Sequence, residues 1–137
     1  MRAVLDPNIL VSALLSRSGP PAKVLLAWVY GAYELVVSPL LLAELERVLE
    51  YPKLRKRIGP DEARGYVAWL TDSAVLKPDS TKPPSVRSSD RGDDYLIALA
   101  ESESAALVSG DSDVLELAGR GRPVYSAAEF LALIERS

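Results

Sequence analysis

The sequence predicts an α/β protein, a three-layer α/β/α sandwich with a mainly parallel sheet of about four to five strands. Three observations carry that expectation. Short apolar runs recur along the chain and read as buried strands. The segments between them place apolar residues at helical spacing. Prolines, glycines and serines punctuate the joins, where helices begin and end. Strands alternating with helices imply a parallel sheet covered on both faces. No internal repeat or linker interrupts the 137 residues, so 1–137 is read as one domain.

The first strand is Ala3 to Leu5, opened by Arg2. Asn8 to Ser16 reads as a helix with Ile9, Leu10, Ala13 and Leu14 on one face. Gly19-Pro20-Pro21 punctuates the chain, and 21–30 continues as a helix closed by Gly31. Tyr33 to Val37 is apolar and β-branched, hence a second strand. Ser38-Pro39 supplies an N-cap and a first-turn proline for a helix to about Glu50, which Pro52 ends. The stretch 53–58, KLRKRI, is basic. Pro60-Asp61-Glu62 starts another helix, its early acids suiting the helix dipole. Ala74 to Leu76 is a weak strand. Residues 77–92, with three prolines and several serines, predict a loop long enough to be functional or mobile. Gly92-Asp93-Asp94 opens a helix to about Ser104, and Ala105 to Ser109 is a buried strand. Asp111 to Gly119 is a short helix, Val124-Tyr125 a last strand, and Ser126 caps a C-terminal helix through Glu135.

Composition narrows the chemistry. Hydrophobic residues are 48% and charged residues 26%, the balance of an ordinary folded domain. No run of about 18 apolar residues occurs, and Asp6 interrupts the apolar start before any small-residue cleavage site. The expectation is a cytoplasmic protein with neither signal peptide nor membrane partner. There is no cysteine, which excludes disulfides, thiolate metal sites and cysteine nucleophiles. There is no histidine, which removes the commonest general base and the Ser-His-Asp arrangement. Catalysis would have to run on carboxylates, hydroxyls, Lys/Arg, backbone or a metal. With only oxygen ligands left, that metal should be hard, Mg²⁺ or Mn²⁺. The net charge of −3 rules out a globally basic coat but not a basic rim around an acidic site. Eleven of the sixteen cations are Arg, which suits bidentate phosphate contacts.

The acids fall at telling places. In parallel α/β sheets, sites form beyond the carboxyl ends of the strands, near the point where strand order reverses. Asp6 directly succeeds the first strand, Asp111 comes after the 105–109 strand by one glycine, and Asp94 lies in a first helical turn. Glu44 sits inside the apolar stripe of Leu41, Leu45 and Val48, with Glu46, Arg47 and Glu50 on the other face. An inward acid costs several kcal/mol unless paired or bound to a cation. Each acid also has a structural reading. Asp6 could cap the 8–16 helix, Asp93 or Asp94 could be a helix-start acid, Asp111 or Asp113 could cap the next helix, and Glu44 could snorkel. Together, packed carboxylates repel one another, and a divalent cation removes that problem.

The motifs VLDPNILVSALL, VVSPLLLAELERVL, DRGDDYLIALA and LVSGDSDVLEL, in this order and spacing, resemble the PIN-domain family of metal-dependent ribonucleases over nearly the whole chain. By position, the resemblance implies that Asp6, Glu44, Asp94 and Asp111 form the family's acidic quartet, with Asp113 an accessory metal ligand. It implies supporting roles for Asn8 and Ser109, lets Asp93 share the role of Asp94, and matches Asp90 to an acid of one toxin-like subgroup. Pro7 stands where the family usually has threonine or serine. The activity that the resemblance implies is Mg²⁺- or Mn²⁺-dependent endonucleolytic cleavage of RNA. The subgroup similarity is to VapC-like toxins of toxin–antitoxin pairs, which adds a cognate antitoxin and a homodimer as expected partners. Arg17, Arg87, Arg91, Arg120 and Arg122 are the candidate RNA-binding cations.

Three other readings stand beside this one. The first is an impaired PIN-like binding module acting through a protein partner, for which Pro7 is the sequence hint. The second is a nuclease acting on DNA, since metal-bound acids do not distinguish a 2′-hydroxyl. The third is another phosphotransfer fold. A haloacid-dehalogenase-type phosphatase needs Asp-x-Asp after the first strand, where this chain has Asp6 and Asn8. A response-regulator receiver wants a late-strand lysine, and none occurs after Lys82.

Overall fold

The computed structural model describes residues 1–88 and 90–136. Ser89, inside the predicted 77–92 loop, and Ser137 lie outside the described residues. The strands are β1 (Arg2–Leu5), β2 (Glu34–Val37), β3 (Val75–Leu76), β4 (Ala106–Val108) and β5 (Val124–Tyr125). The helices are α1 (Pro7–Leu15), α2 (Pro20–Val29), α3 (Pro39–Leu49), α4 (Pro52–Arg55), α5 (Pro60–Ser73), α6 (Asp94–Ser102), α7 (Ser112–Leu115) and α8 (Ala127–Glu135). Short 3-10 turns cover Arg91–Asp93 and Glu116–Arg120. Every strand pair is parallel, in the order β3-β2-β1-β4-β5. The expected three-layer α/β/α architecture is therefore present, with five strands.

Proline placement explains much of the segmentation. Pro7, Pro20, Pro39, Pro52 and Pro60 each stand in the first turn of a helix. There the missing N–H costs nothing and the fixed φ already suits the helix. Ser126 and Glu129 form a reciprocal capping box on α8. Two elements differ from expectation. The basic 53–58 stretch contributes to a one-turn helix, because Pro52 nucleates α4 directly after Tyr51. The 111–119 helix splits into α7 and a 3-10 turn, which ends at Gly121 in the left-handed region (φ +85°) rather than at Gly119.

Ala3, Val4, Leu5, Leu35, Val36 and Val37 are all buried, whichever face they point to. The central strands are thus covered on both sides, as parallel sheets require. α6 packs on β1 and β4, while α1, α2, α3, α5 and α8 pack against one another. Phe130 of α8 is fully buried and meets Tyr33 edge-to-face, ring centroids 5.1 Å apart.

The strand order reverses between β1 and β4. β1 leads to β2 on one side, and β4 leads to β5 on the other. Their register pairs Leu5 with Val108, and the Asp6 N–H donates to the Val108 carbonyl at 2.9 Å. The first residues past both strands therefore emerge side by side.

Phe130→Ala is expected to lower the unfolding free energy by about 3–5 kcal/mol, through lost burial and a cavity that α2 and β5 cannot close. Urea unfolding tracked by circular dichroism measures this directly.

Candidate active site

Asp6 leaves β1 and caps α1. Its Oδ1 accepts the Asn8 backbone N–H at 2.9 Å, and its Oδ2 accepts the Ser109 hydroxyl at 2.8 Å. The same Ser109 oxygen accepts the Asp111 N–H at 3.0 Å. This relay ties the end of β1 to the end of β4 through a fully buried hydroxyl. Asp111 caps α7, its Oδ1 accepting the Asp113 N–H at 2.8 Å. Asp90 caps the 3-10 turn before α6, its Oδ1 accepting the Gly92 N–H at 2.9 Å. Capping and site formation are thus one arrangement, because each backbone bond holds a carboxylate in one orientation at the sheet edge.

Carboxylate oxygens of Asp90, Asp93 and Asp111 lie within 4.8 Å of one another. Asp93 Oδ2 is shielded from solvent and has no hydrogen-bond partner. Asp6, Glu44 and Asp93 wall a depression of about 240 Å³, with Arg47 and Tyr95 at its side. The Tyr95 hydroxyl is likewise shielded and unpartnered. A larger groove of about 650 Å³ runs between α3, α4 and α5. Its acids, Glu46, Glu50 and Asp72, form no group close enough to share an ion among the described residues.

The electrostatics are those of crowded like charges. Burial raises the Asp93 pKa to about 7, and the neighbouring charges of Asp111, Asp6 and Asp90 add to the rise. Burial also raises Asp6, with Asp111 and Glu44 adding, against the bonds from Asn8 and Ser109 that favour its charged form. Tyr95 is pushed up by burial and by the surrounding acids, Glu44 first, so its hydroxyl keeps its proton. An orphaned carboxylate oxygen among mutually repelling, all-oxygen donors fits a hard divalent cation.

The expected acids are not all brought together. Asp93 and Asp94 are consecutive in a helical turn, so their side chains diverge by about 100° and only one can face Asp6. That one is Asp93. Asp94 turns to Arg87, with Nη1–Oδ2 at 3.2 Å, and is absent from the depression's wall, although its Oδ1, like Asp93 Oδ2, is shielded and unpartnered. Glu44 reaches the depression, but its side chain is 35% exposed and forms a two-pronged pair with Arg47, Nε–Oε2 at 3.0 Å. The expectation that Arg47 keeps to the other face is thereby corrected. The i,i+3 spacing lets its long side chain swing onto Glu44, a pairing that the spacing alone could have flagged.

Asn8 is exposed on the rim, and Asp113 is half-buried beside Asp111 but outside the three-acid group. Arg17, Arg91 and Arg120 are exposed. Arg122 corrects its expectation. It precedes β5 and lines a small cavity with Ala105 and Leu107, at the amino end of the sheet. In a parallel sheet that end is opposite the acids, so closeness to Asp111 in sequence does not carry over to space. Tyr95, which sequence reasoning did not single out, carries no signal beyond adjacency to the two acids.

The carboxylate cluster lies at the reversal of strand order, where parallel α/β domains form their ligand sites. Comparison with known proteins makes the class specific. Residues 2–113 match the PIN domain, and the chain belongs to the PIN-domain family, whose members are generally nucleases. The chain is 29% identical over 119 residues to MJ1680, an uncharacterized protein of Methanocaldococcus jannaschii, covering 85% of this chain and 75% of that protein. The fold is similar to PAE2754 of Pyrobaculum aerophilum, with TM-score 0.67 and 16% identity, over 100% of this chain and 91% of that one. It is also similar to SSO1118 of Sulfolobus solfataricus P2, a PilT N-terminus domain protein, with TM-score 0.52 and 20% identity, over 98% and 93% of the two chains. No helix among the described residues is long and apolar enough to cross a membrane.

The raised Asp93 pKa has a definite sign. Between the ordinary carboxylate pKa near 4 and about 7, the folded protein holds a proton that the unfolded chain releases, so this group erodes stability as pH rises through that window. Asp93→Asn, in EDTA, is expected to melt at nearly the wild-type temperature at pH 4.5 and several degrees above it at pH 8. A difference that is constant with pH would contradict the assignment.

Proposed function

We propose that this PIN-domain protein is a metal-dependent endoribonuclease and the toxin of a toxin–antitoxin pair. The observation that supports it most is the group of Asp90, Asp93 and Asp111, whose carboxylate oxygens lie within 4.8 Å of one another beside the Ser109-held Asp6. The acids proposed to hold the ion are Asp6, Asp93 and Asp111, with Asp90 and Glu44 at the margin. A bound Mg²⁺ or Mn²⁺ supplies Lewis acidity, an activated water and neutralisation of phosphate charge.

The chain's own residues do the rest. Asp6 keeps its orientation through the amide of Asn8 and the hydroxyl of Ser109. Asp93 gives up its proton when a cation arrives, so ion binding should weaken below about pH 7. Arg47, one turn beyond Glu44, lines the wall of the depression but is held by Glu44 and the Tyr51 hydroxyl, so it would meet a phosphate oxygen only as the Glu44 pair opens. The Ser109 hydroxyl supports Asp6 from the β4 side, so the threonine or serine hydroxyl missing at Pro7 does not leave that carboxylate unsupported. This weighs against the impaired binding-module reading. The choice of RNA over DNA, the cognate antitoxin, the homodimer and a cytoplasmic location rest on the sequence resemblance.

Single-stranded RNA incubated with the purified protein should be cut in Mg²⁺ or Mn²⁺ and left intact in EDTA. Asp6→Asn and Asp93→Asn should each lower the rate about a hundredfold or more. Asp94→Asn should lower it by no more than about tenfold, because that residue does not line the depression. Cleavage that persists in EDTA, or equal losses for Asp93→Asn and Asp94→Asn, would sink this assignment.

Mn²⁺ at a hundred times its Kd should add about 2.7 kcal/mol to wild-type stability. Asp93→Asn should abolish most of that gain in a thermal-shift titration.

A further inference from the structure

The acid cluster poses a problem for the proposed nuclease activity, and the inference rests on that reading. A polyanion is repelled by a pit of five carboxylates unless cations beside it provide the approach. Of the arginines expected from sequence, Arg122 lies at the amino end of the sheet, and Arg87 pairs with Asp94 as Arg47 pairs with Glu44, while Arg17, Arg91 and Arg120 are exposed. The basic 53–58 stretch takes no part in the acid site.

Helix α3 runs from Glu44 at the acid depression toward that stretch. Glu44, Arg47 and Tyr51 succeed one another along α3 and its end, covering about 10 Å at helical rise. Arg47 walls the acid depression, and its guanidinium lies 5.4 Å from the centre of the Tyr51 ring. Tyr51 is 43% exposed, and its hydroxyl accepts a hydrogen bond from Arg47. Lys53 and Lys56 come next, both exposed. Among the described residues, neither they nor Arg55 and Arg57 have a carboxylate within ion-pair distance, whereas Arg2, Arg47, Arg64 and Arg87 all do. Arg57 donates to the Leu15 carbonyl at 3.1 Å, which anchors the basic turn to the end of α1, two residues before exposed Arg17.

We infer that Arg47, Tyr51 and the cations of α4 and the turn after it, Lys53 to Arg57, form a binding track for single-stranded nucleic acid leading out of the acid depression. The lysines neutralise successive phosphates, and the Tyr51 face stacks on an unpaired base. The exposed ring favours a nucleic-acid strand over an acidic protein segment, which would use the charges and leave the ring idle.

The test is fluorescence anisotropy with a labelled 12-nucleotide oligouridylate in EDTA, over a range of salt concentrations. Lys53→Gln/Lys56→Gln should melt like wild type and bind about tenfold more weakly at low salt. Its log–log salt slope should be shallower by about 1.4, the value for two lost single-strand phosphate contacts. Tyr51→Ala should weaken binding at least fivefold with the slope unchanged. Wild-type slope and affinity in the lysine variant would overturn the track. So would equal competition by polyglutamate together with no effect of Tyr51→Ala, which would indicate a site for acidic protein. If the variants behave as expected but wild type cuts no RNA with either metal, the track stands and the nuclease reading falls. If wild type cuts RNA while the variants bind normally, the reverse holds.

Discussion

Everything at the candidate site depends on the parallel pairing of β1 with β4. Three residue pairs, Ala3 with Ala106, Val4 with Leu107 and Leu5 with Val108, bring together segments about a hundred positions apart. The next residues out are Asp6 and Ser109, and the hydroxyl of the second holds the carboxylate of the first. A slip of one residue would turn Ser109 to the other face and break the relay from Asp111 to Asp6. Because the pairing also marks the reversal of strand order, no crossover helix covers the carboxyl edge there, and the acids share an open crevice.

That crevice is costly to the fold. Carboxylates meet at close range in partly buried surroundings, and the result is a raised pKa at Asp93 and at Asp6. The backbone absorbs part of the tension by using Asp6, Asp90 and Asp111 as caps, which orients them without neutralising them. The rest is carried by a sheet buried on both faces and by helices whose starting prolines lower the entropy of the unfolded chain. Under the proposed reading, a cation held by these acids would relieve that repulsion and couple binding to stability.

The surroundings divide by charge. Arg87 and Arg47 each neutralise one acid at the margin, Asp94 and Glu44. Lys53 and Lys56, exposed and without an ion pair among the described residues, lie further along the chain beyond Tyr51, and Arg17, Arg91 and Arg120 are likewise exposed and unpaired elsewhere. The chain as a whole carries a net charge of −3. Net charge alone therefore says little about where a polyanion would meet this protein.

The alternation of strands and helices, the parallel sheet and the helix starts were legible in the sequence because they arise from local periodicity and from proline and serine chemistry at the joins. Asp6, Glu44 and Asp111 were legible as candidates for a related reason, since strand ends and apolar stripes can be read along the chain. Direction in space was beyond the sequence. Whether Asp93 or Asp94 faces Asp6 depends on the angle at which α6 enters the crevice, and a one-residue step on a helix turns a side chain by about 100°. Arg47 joins Glu44, and Arg122 lies at the far end of the sheet, for reasons of the same kind. Side-chain reach and strand polarity become definite only once the chain has packed.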